Sequence, residues 1–282
     1  MKEHSEEFPV KLMSDVLGVS KSGYYACLKR NQSSRSQSNA RLVQEIQRVH
    51  KDSHRTYGSP RIHAQLVLEN VPCGRHRVAR LMKSHGIQGK VYARYKSYAR
   101  MKPKKDVAQN RLNRQFNVPE PDKVWAGDIT CFWTSSGWLF LAVILDLYSR
   151  KVIGWSMHGR MTDKLVLGAL EMAVLNRSPK ENLIHHSDQG SQYMSEAFKT
   201  ELKDHRITPS MSRRGNCYDN AVVESFFKSL KYELVKDRVF ETREDARREV
   251  FEYIEVFYNR RRLHSTLGYL SPVEYERRGA LN

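Results

Sequence analysis

Apolar positions recur at helical spacing through the first hundred residues and at strand spacing from about residue 122 onward. Residues 10–30 read as a short helix, a turn at Gly18 and a second helix capped by Ser20. That layout fits a helix-turn-helix and, equally, a plain helical hairpin. Residues 31–39, rich in Ser, Asn and Gln, read as a polar linker before the helical spacing of Arg41 to His50. Ser59 is expected as an N-cap with Pro60 in the first helical position, opening a helix from Arg61 to Asn70. Val71-Pro72-Cys73-Gly74 is a turn, and Arg75 to His85 forms the next helix, ended by Gly86. From Gly89 to Lys105 tyrosines alternate with cations, a composition that suits either phosphate contact with ring packing on sugars and bases or an irregular connector.

The second part reads differently. Trp125 to Trp133, Trp138 to Leu147 and Lys151 to Met157 are strand-like runs separated by turns at Ser135-Ser136-Gly137 and Ser149-Arg150, which predicts three consecutive antiparallel strands. A helix (Thr162 to Asn176), a strand (Leu183 to His186), a helix (Ser195 to His205), a strand (Ile207 to Ser212) and a helix through Glu224 follow. The order β-β-β-α-β-α-β-α predicts an α/β fold with a mixed sheet and flanking helices, preceded by an all-α region. With Pro103, Pro119 and Pro121 marking the junction, the expected units are a helix-turn-helix-like segment (1–38), a second helical DNA-binding region (39–100), a basic linker (101–121) and the α/β unit with C-terminal helices (122–282).

Charge sharpens this division. The formal net charge is +17, and residues 1–121 hold 24 Lys and Arg against 9 Asp and Glu, whereas residues 122–282 hold 24 against 22. A basic arm on a near-neutral body points to a polyanionic partner, with nucleic acid ahead of a membrane surface. No run approaches the roughly 18 apolar residues of a spanning helix, and no signal-peptide pattern opens the chain, so a cytosolic protein is expected. Cys27, Cys73, Cys131 and Cys217 lie far apart with no Cys-x-x-Cys pair, which speaks against a structural zinc site or a disulfide framework.

The candidate chemistry lies in three acids. Asp188 ends the strand-like run Leu183-Ile184-His185-His186-Ser187, Asp128 lies in Val124-Trp125-Ala126-Gly127-Asp128-Ile129-Thr130, and Glu224 lies on a helix, with 35 residues between it and Asp188. Carboxylates from two strands and a helix can converge on a divalent cation, which points to phosphodiester chemistry. On the Glu224 helix, Val223, Phe226, Phe227, Leu230 and Leu234 form an apolar face, while Glu224, Lys228 and Lys231 share another. That second face suits an acid holding metal beside cations meeting phosphates; an ordinary Glu-Lys pair on a solvated helix is the alternative. The preceding loop, Arg213 to Asn220, reads as a mobile basic substrate loop, with Asp219 and Asn220 as candidate caps of the helix. Arg75, Arg77 and Arg80 make one helix side basic, either as phosphate contacts or as solvated surface. His185 and His186 adjoin Asp188, but Mg²⁺ prefers oxygen ligands, so packing or substrate contact is expected of them.

Four motifs carry a resemblance. Trp125-x-x-Asp128-Ile129-Thr130, His186-Ser187-Asp188-Gln189-Gly190-Ser191-Gln192-Tyr193, the run from Ser212 through Gly215-Asn216-Cys217-x-Asp219-Asn220-Ala221 to Glu224-Ser225-Phe226-Phe227, and Tyr258-Asn259-x-x-Arg262-x-His264 occur in order over essentially the whole chain. Together they resemble the integrase-core transposases of bacterial insertion sequences, in particular the second-frame product of two-frame elements. The resemblance implies a ribonuclease-H-like core in which Asp128, Asp188 and Glu224 hold two Mg²⁺ ions, with Mn²⁺ as a substitute. It implies double-stranded DNA at the element ends and target DNA as partners, strand cleavage followed by strand transfer, at least a dimer on DNA, and a nucleoid-associated enzyme of the cytoplasm. Lys231 is carried over as a contact to terminal DNA, and Lys228, Arg213, Arg214, Arg75, Arg77 and Arg80 join it as expected DNA contacts. Fusion to an upstream-frame product is a further expectation. Asp146 matches an Asp-Leu-x-Ser-Arg position and reads as a structural residue or a partner to a metal ligand. The competing readings are a DNA-binding inhibitor without chemistry, against which the three intact acids argue, and a nuclease that cuts without joining.

Overall fold

The computed structural model describes the chain except for residues 30–32, 91–106, 180, 214–216, 237 and 282, and it does not describe the side chains of 217 and 218. The tyrosine–cation stretch from Val91 onward and the expected DNA contact Arg214 therefore lie outside the described residues.

The N-terminal part is helical, as its spacing predicts. Helix α1 (Val10–Leu17) ends at Gly18, whose φ of 62° is the left-handed conformation that glycine adopts without a Cβ clash. Helix α2 (Lys21–Lys29) follows, with the Gly23 N–H donating to Ser20 Oγ at 3.0 Å. Helix α3 (Ser34–Asp52) begins inside the run expected to be a linker. Its cap explains why: Ser33 Oγ accepts the Ser36 N–H, and Arg77 reaches back to Asn39 Oδ1 at 2.9 Å and Ser38 Oγ at 2.7 Å, so tertiary contacts hold a polar first turn helical. Helix α4 (Ser59–Leu68) is shifted by one residue from expectation, because Gly58 takes the N-cap position and Ser59 is already helical. Helix α5 (Arg75–Ser84) closes the unit. Ile46, Ile62, Leu66 and Val78 are completely buried between α3, α4 and α5, each worth about 1.5–3 kcal/mol of burial.

From Val124 the chain forms a five-stranded sheet of order β3-β2-β1-β4-β5. Strands β1 (Val124–Thr134), β2 (Gly137–Asp146) and β3 (Val152–His158) are an antiparallel meander, as the alternation predicts. Helix α6 (Asp163–Arg177) carries the chain back so that β4 (Ile184–Ser187) lies parallel to β1, and α7 (Glu196–Asp204) leads to β5 (Thr208–Met211), parallel to β4. One sheet face packs Trp125, Ala142 and Ile144 against α6 and α7. Gly154 permits the close approach there, since a Cβ on it would stand 2.2 Å from the Ala169 carbonyl oxygen of α6. The other face packs Ala126, Val143 and Leu145 against α8 (Ala221–Leu230), α9 (Arg243–Phe251) and the chain beyond.

Two helices end in wider turns that the spacing did not foretell. Helix α8 runs into a π-helical turn over Lys231–Val235, and α9 into another over Glu252–Tyr258, before α10 (Pro272–Gly279). The motif Tyr258-Asn259-x-x-Arg262-x-His264 anchors this C-terminal layer. The Asn259 side chain pairs with both main-chain groups of Val152, accepting from its N–H at 3.0 Å and donating to its C=O at 2.9 Å, like an added rung of the sheet edge. Arg262 donates to Glu233 with both side chains almost fully buried, and Tyr253 Oη donates to the same carboxylate at 2.8 Å. Tyr57, just ahead of α4, is also buried here: its Oη accepts the Leu263 N–H at 2.8 Å, fixing the N-terminal helices to the C-terminal layer.

Candidate active site

Register brings the first two acids together. Ala126 of β1 pairs with His186 of β4, so Asp128 in β1 and Asp188 just past the end of β4, each two residues further in the same direction, come to the same end of two parallel neighbours whose backbones lie about 4.8 Å apart. Asp128 pairs with Val143, which places it on the sheet face covered by α8, and Glu224 stands in the first turn of that helix. Asp188 lies just past the end of β4, where its Oδ1 accepts the Gly190 N–H at 2.9 Å. Asp188, Glu224, Lys228 and Lys231 are exposed, and Asp128 is partly buried behind them.

Electrostatics confirm the proximity. Burial and the neighbouring Asp188 charge push Asp128 up to about 8, Glu224 adds to the rise, and a hydrogen bond from the Ile129 N–H and the Lys231 charge oppose it. Burial also raises Glu224. Asp128 thus feels both other acids and one of the lysines on the Glu224 helix. Among the described residues, no three His, Cys, Asp or Glu side chains are grouped closely enough to hold a metal ion as they stand.

The surroundings of the acids are built from polar residues that make specific bonds. Asn220 precedes α8 but makes no side-chain cap; its Nδ2 donates instead to the Gly127 carbonyl at 3.2 Å, beside Asp128. Asp219 does not cap either. It is completely buried and accepts from the Arg213 N–H (2.9 Å), Arg213 Nε (3.0 Å), Arg114 Nε (2.9 Å) and Asn110 Nδ2 (3.0 Å). The capping expectation fails because both side chains find tertiary partners. His186 is buried with its ring nitrogens at 2.9 Å from Ser210 Oγ and 3.0 Å from Ser212 Oγ, and burial pushes it down to about 4. His185 packs against Tyr193 and Phe198, and burial pushes it down to about 3. Both rings are thus neutral parts of the interior.

Asp146 is structural. It pairs with Trp125, so it points to the sheet face opposite Asp128. It is completely buried and accepts from the main-chain N–H groups of Asp122 (2.9 Å) and Tyr148 (2.8 Å) and from Arg177 Nη2 (2.9 Å). Arg177 also pairs with Glu276 of α10, so this group joins strand end, α6 and the last helix.

The expected DNA contacts divide into two kinds. Arg75, Arg80, Lys228 and Lys231 are exposed. Arg77 is engaged with Asn39 and Ser38, and Arg213 with Asp219, so both already serve the fold. The roles of Asp219, Asn220 and Glu233 did not emerge from sequence reasoning; the signal available was the Asp219-Asn220 pair inside the Glu224 motif.

Comparison with known proteins fits this geometry. The family described as Integrase core domain matches residues 118–217 and, in a second part, 224–279, and the family described as HTH-like domain matches residues 37–95. The chain is 41% identical over 278 residues to a protein of Escherichia coli (strain K12) named transposase InsF for insertion sequence IS3A, covering 98% of this chain and 96% of that one. The chain belongs to the insertion-sequence transposase family. Another relative of this transposase is the insertion element IS600 uncharacterized 31 kDa protein of Shigella sonnei, 40% identical over 263 residues and spanning 93% of this chain and 97% of that one. Among solved structures, a chain of the simian T-cell lymphotropic virus intasome in complex with PP2A regulatory subunit B56 gamma aligns over 82% of this chain and 74% of its own at 15% identity, with a TM-score of 0.48. The HTH-like match falls on α3 to α5 of the transposase, beyond the α1–α2 pair that showed the helix-turn-helix layout.

Proposed function

We propose that this transposase cleaves DNA strands at the ends of an insertion sequence and joins the freed 3′ ends to target DNA, with Asp128, Asp188 and Glu224 as its catalytic acids. The observation that carries the proposal is Asp128, beside the end of the strand that delivers Asp188, and raised by burial and then by the charges of Asp188 and Glu224. The donor set suits Mg²⁺, with Mn²⁺ as a substitute: three carboxylates supply hard oxygens, and the nearby imidazoles are turned into the core. Two such ions, when bound, would lower the barrier to in-line displacement at phosphorus by activating the entering oxygen and stabilising the leaving one.

The remaining work falls to the chain itself. Burial and the neighbouring Asp188 and Glu224 charges raise Asp128, so the carboxylate most enclosed in the site is also the one whose charge is most costly there. Lys228 on α8 and Lys231 just beyond it, both exposed, would meet the phosphates flanking the scissile bond. Arg75 and Arg80 on α5 supply backbone contacts further along the DNA, so that residues 39–100 bind the element end and residues 122–282 perform the reaction. Handling two element ends requires at least two copies on DNA, and fusion to an upstream-frame product would add further DNA contacts.

The test uses labelled DNA carrying an element end, a target duplex and Mg²⁺. A transposase yields a 3′-cut end and then a joined product, both lost on chelation. Cutting without joining would establish a nuclease, and DNA binding without either product would establish a non-catalytic DNA-binding protein.

A further inference from the structure

Residues 107–118, which lead into the core, run along it as a strap. Along it, Leu112 is 3% exposed within the core, Phe116 and Val118 pack against the same cluster, and the Arg111 N–H donates to Ser210 Oγ at 2.9 Å. The Phe116 carbonyl accepts from Arg150 Nη2 at 2.9 Å. Two side chains of the strap, Asn110 and Arg114, converge on Asp219.

Asp219 is the common neighbour of all three acid mountings. It stands five residues before Glu224, at the foot of α8. The next residue, Asn220, donates to the carbonyl that precedes Asp128. On its other side lies His186, which feels the Asp219 charge and shares the hydroxyls of Ser210 and Ser212, two residues before Asp188. Within the carboxylate, Oδ2 takes the Arg213 main-chain N–H, Arg213 Nε and Asn110 Nδ2, while Oδ1 takes Arg114 Nε and Arg213 Nη2 at 3.1 Å. A completely buried carboxylate with this many donors is held from several directions at once, the arrangement that fixes position rather than one that reacts.

We infer that Asp219 is a positioning residue for the reaction: it sets the foot of the Glu224 helix against the Asp128 and Asp188 strands, and it makes that setting depend on the docking of the 107–118 strap. Arg213 and Arg114 then act as its clamp. The strap is the connection between the DNA-binding helices and the core, so a change in how it sits reaches the acids through one buried carboxylate. This rests on the proposed role of the three acids.

The test removes the strap side of the clamp, because Asp219→Ala itself is liable to unfold the core. In the full chain, Asn110→Ala with Arg114→Ala leaves Arg213 on Asp219. Hydrogen exchange at residues 217–224 should quicken about tenfold. The single-turnover strand-transfer rate should fall about tenfold or more, while affinity for element-end DNA stays within about twofold. Asp219→Asn should show the same pattern more strongly, and Arg114→Lys, which keeps the charge without the fork, should recover part of the rate. Unchanged exchange at 217–224 overturns the inference. So does a loss of rate matched by a lowered melting temperature and faster exchange throughout the core, which would make the clamp merely structural. The exchange measurement needs no catalysis, so it decides the clamp even if the acids fail their own test.

Discussion

Asp128 and Asp146 sit in adjoining strands of one sheet, yet only one of them faces the site. Asp128 shares its face with Val143 and borders Asp188; Asp146 shares the other with Trp125 and is enclosed by donors. Environment likewise divides the histidines from the acids. Burial and the facing cations Arg262, Arg61 and Arg150 hold His264 well below the usual imidazole value, and burial does the same to His185. The folded state keeps these rings neutral, whereas the unfolded chain takes up their protons near pH 6.5. Below that pH the unfolded state binds more protons, so stability is full above it and declines as the pH falls toward the lowered folded values. The share of stability carried by these histidines should therefore decline between about pH 7 and pH 4.5, while the raised Asp128 and Asp146 carboxyls contribute in the opposite direction. His264→Gln, which keeps a hydrogen-bonding side chain but cannot titrate, should flatten that decline when the two proteins are followed by thermal unfolding. An equal slope in both would show that His264 has no part in it.

At the scale of elements, the strands and the helical pattern were legible because each buries one face, and burial imposes period. The meander read from Trp125 to Met157 follows from alternation and turn residues, whereas the pairing of β4 beside β1 depends on how α6 packs and was not legible. The π-helical turn over Lys231–Val235 was not legible, since its cause is tertiary: Glu233 must face inward to meet Arg262 and Tyr253. Of the candidate site, the three proposed acids were named from spacing and resemblance. Which face each strand acid takes was not, because register between strands decides it. Nor could the sequence reveal that Arg77 and Arg213, counted as DNA contacts, are bound to Asn39 and Asp219. The Glu233–Arg262 pair makes its own prediction: Arg262→Ala strands a buried carboxylate and should cost about 3–5 kcal/mol in urea unfolding. Replacing both partners with Met should recover most of that loss, and no recovery would mean that Arg262 acts mainly through Ser229 or its other contacts.

At the scale of the whole molecule, a basic helical part is joined through a clamped strap to a near-neutral core. The helices are held to the C-terminal layer by Tyr57, and the strap reaches the acids by way of Asp219. In the proposed function, binding of DNA and the reaction upon it are carried by different parts of the chain. The central claim is that Asp128, Asp188 and Glu224 together perform the strand chemistry. The most direct measurement is single-turnover cleavage and strand transfer on element-end DNA with Mg²⁺, comparing the wild-type protein with Asp128→Asn, Asp188→Asn and Glu224→Gln. Each substitution should lower both steps by at least about a hundredfold while leaving DNA affinity within a few fold. Cleavage and joining that survive any one of them at near wild-type rate would contradict the account.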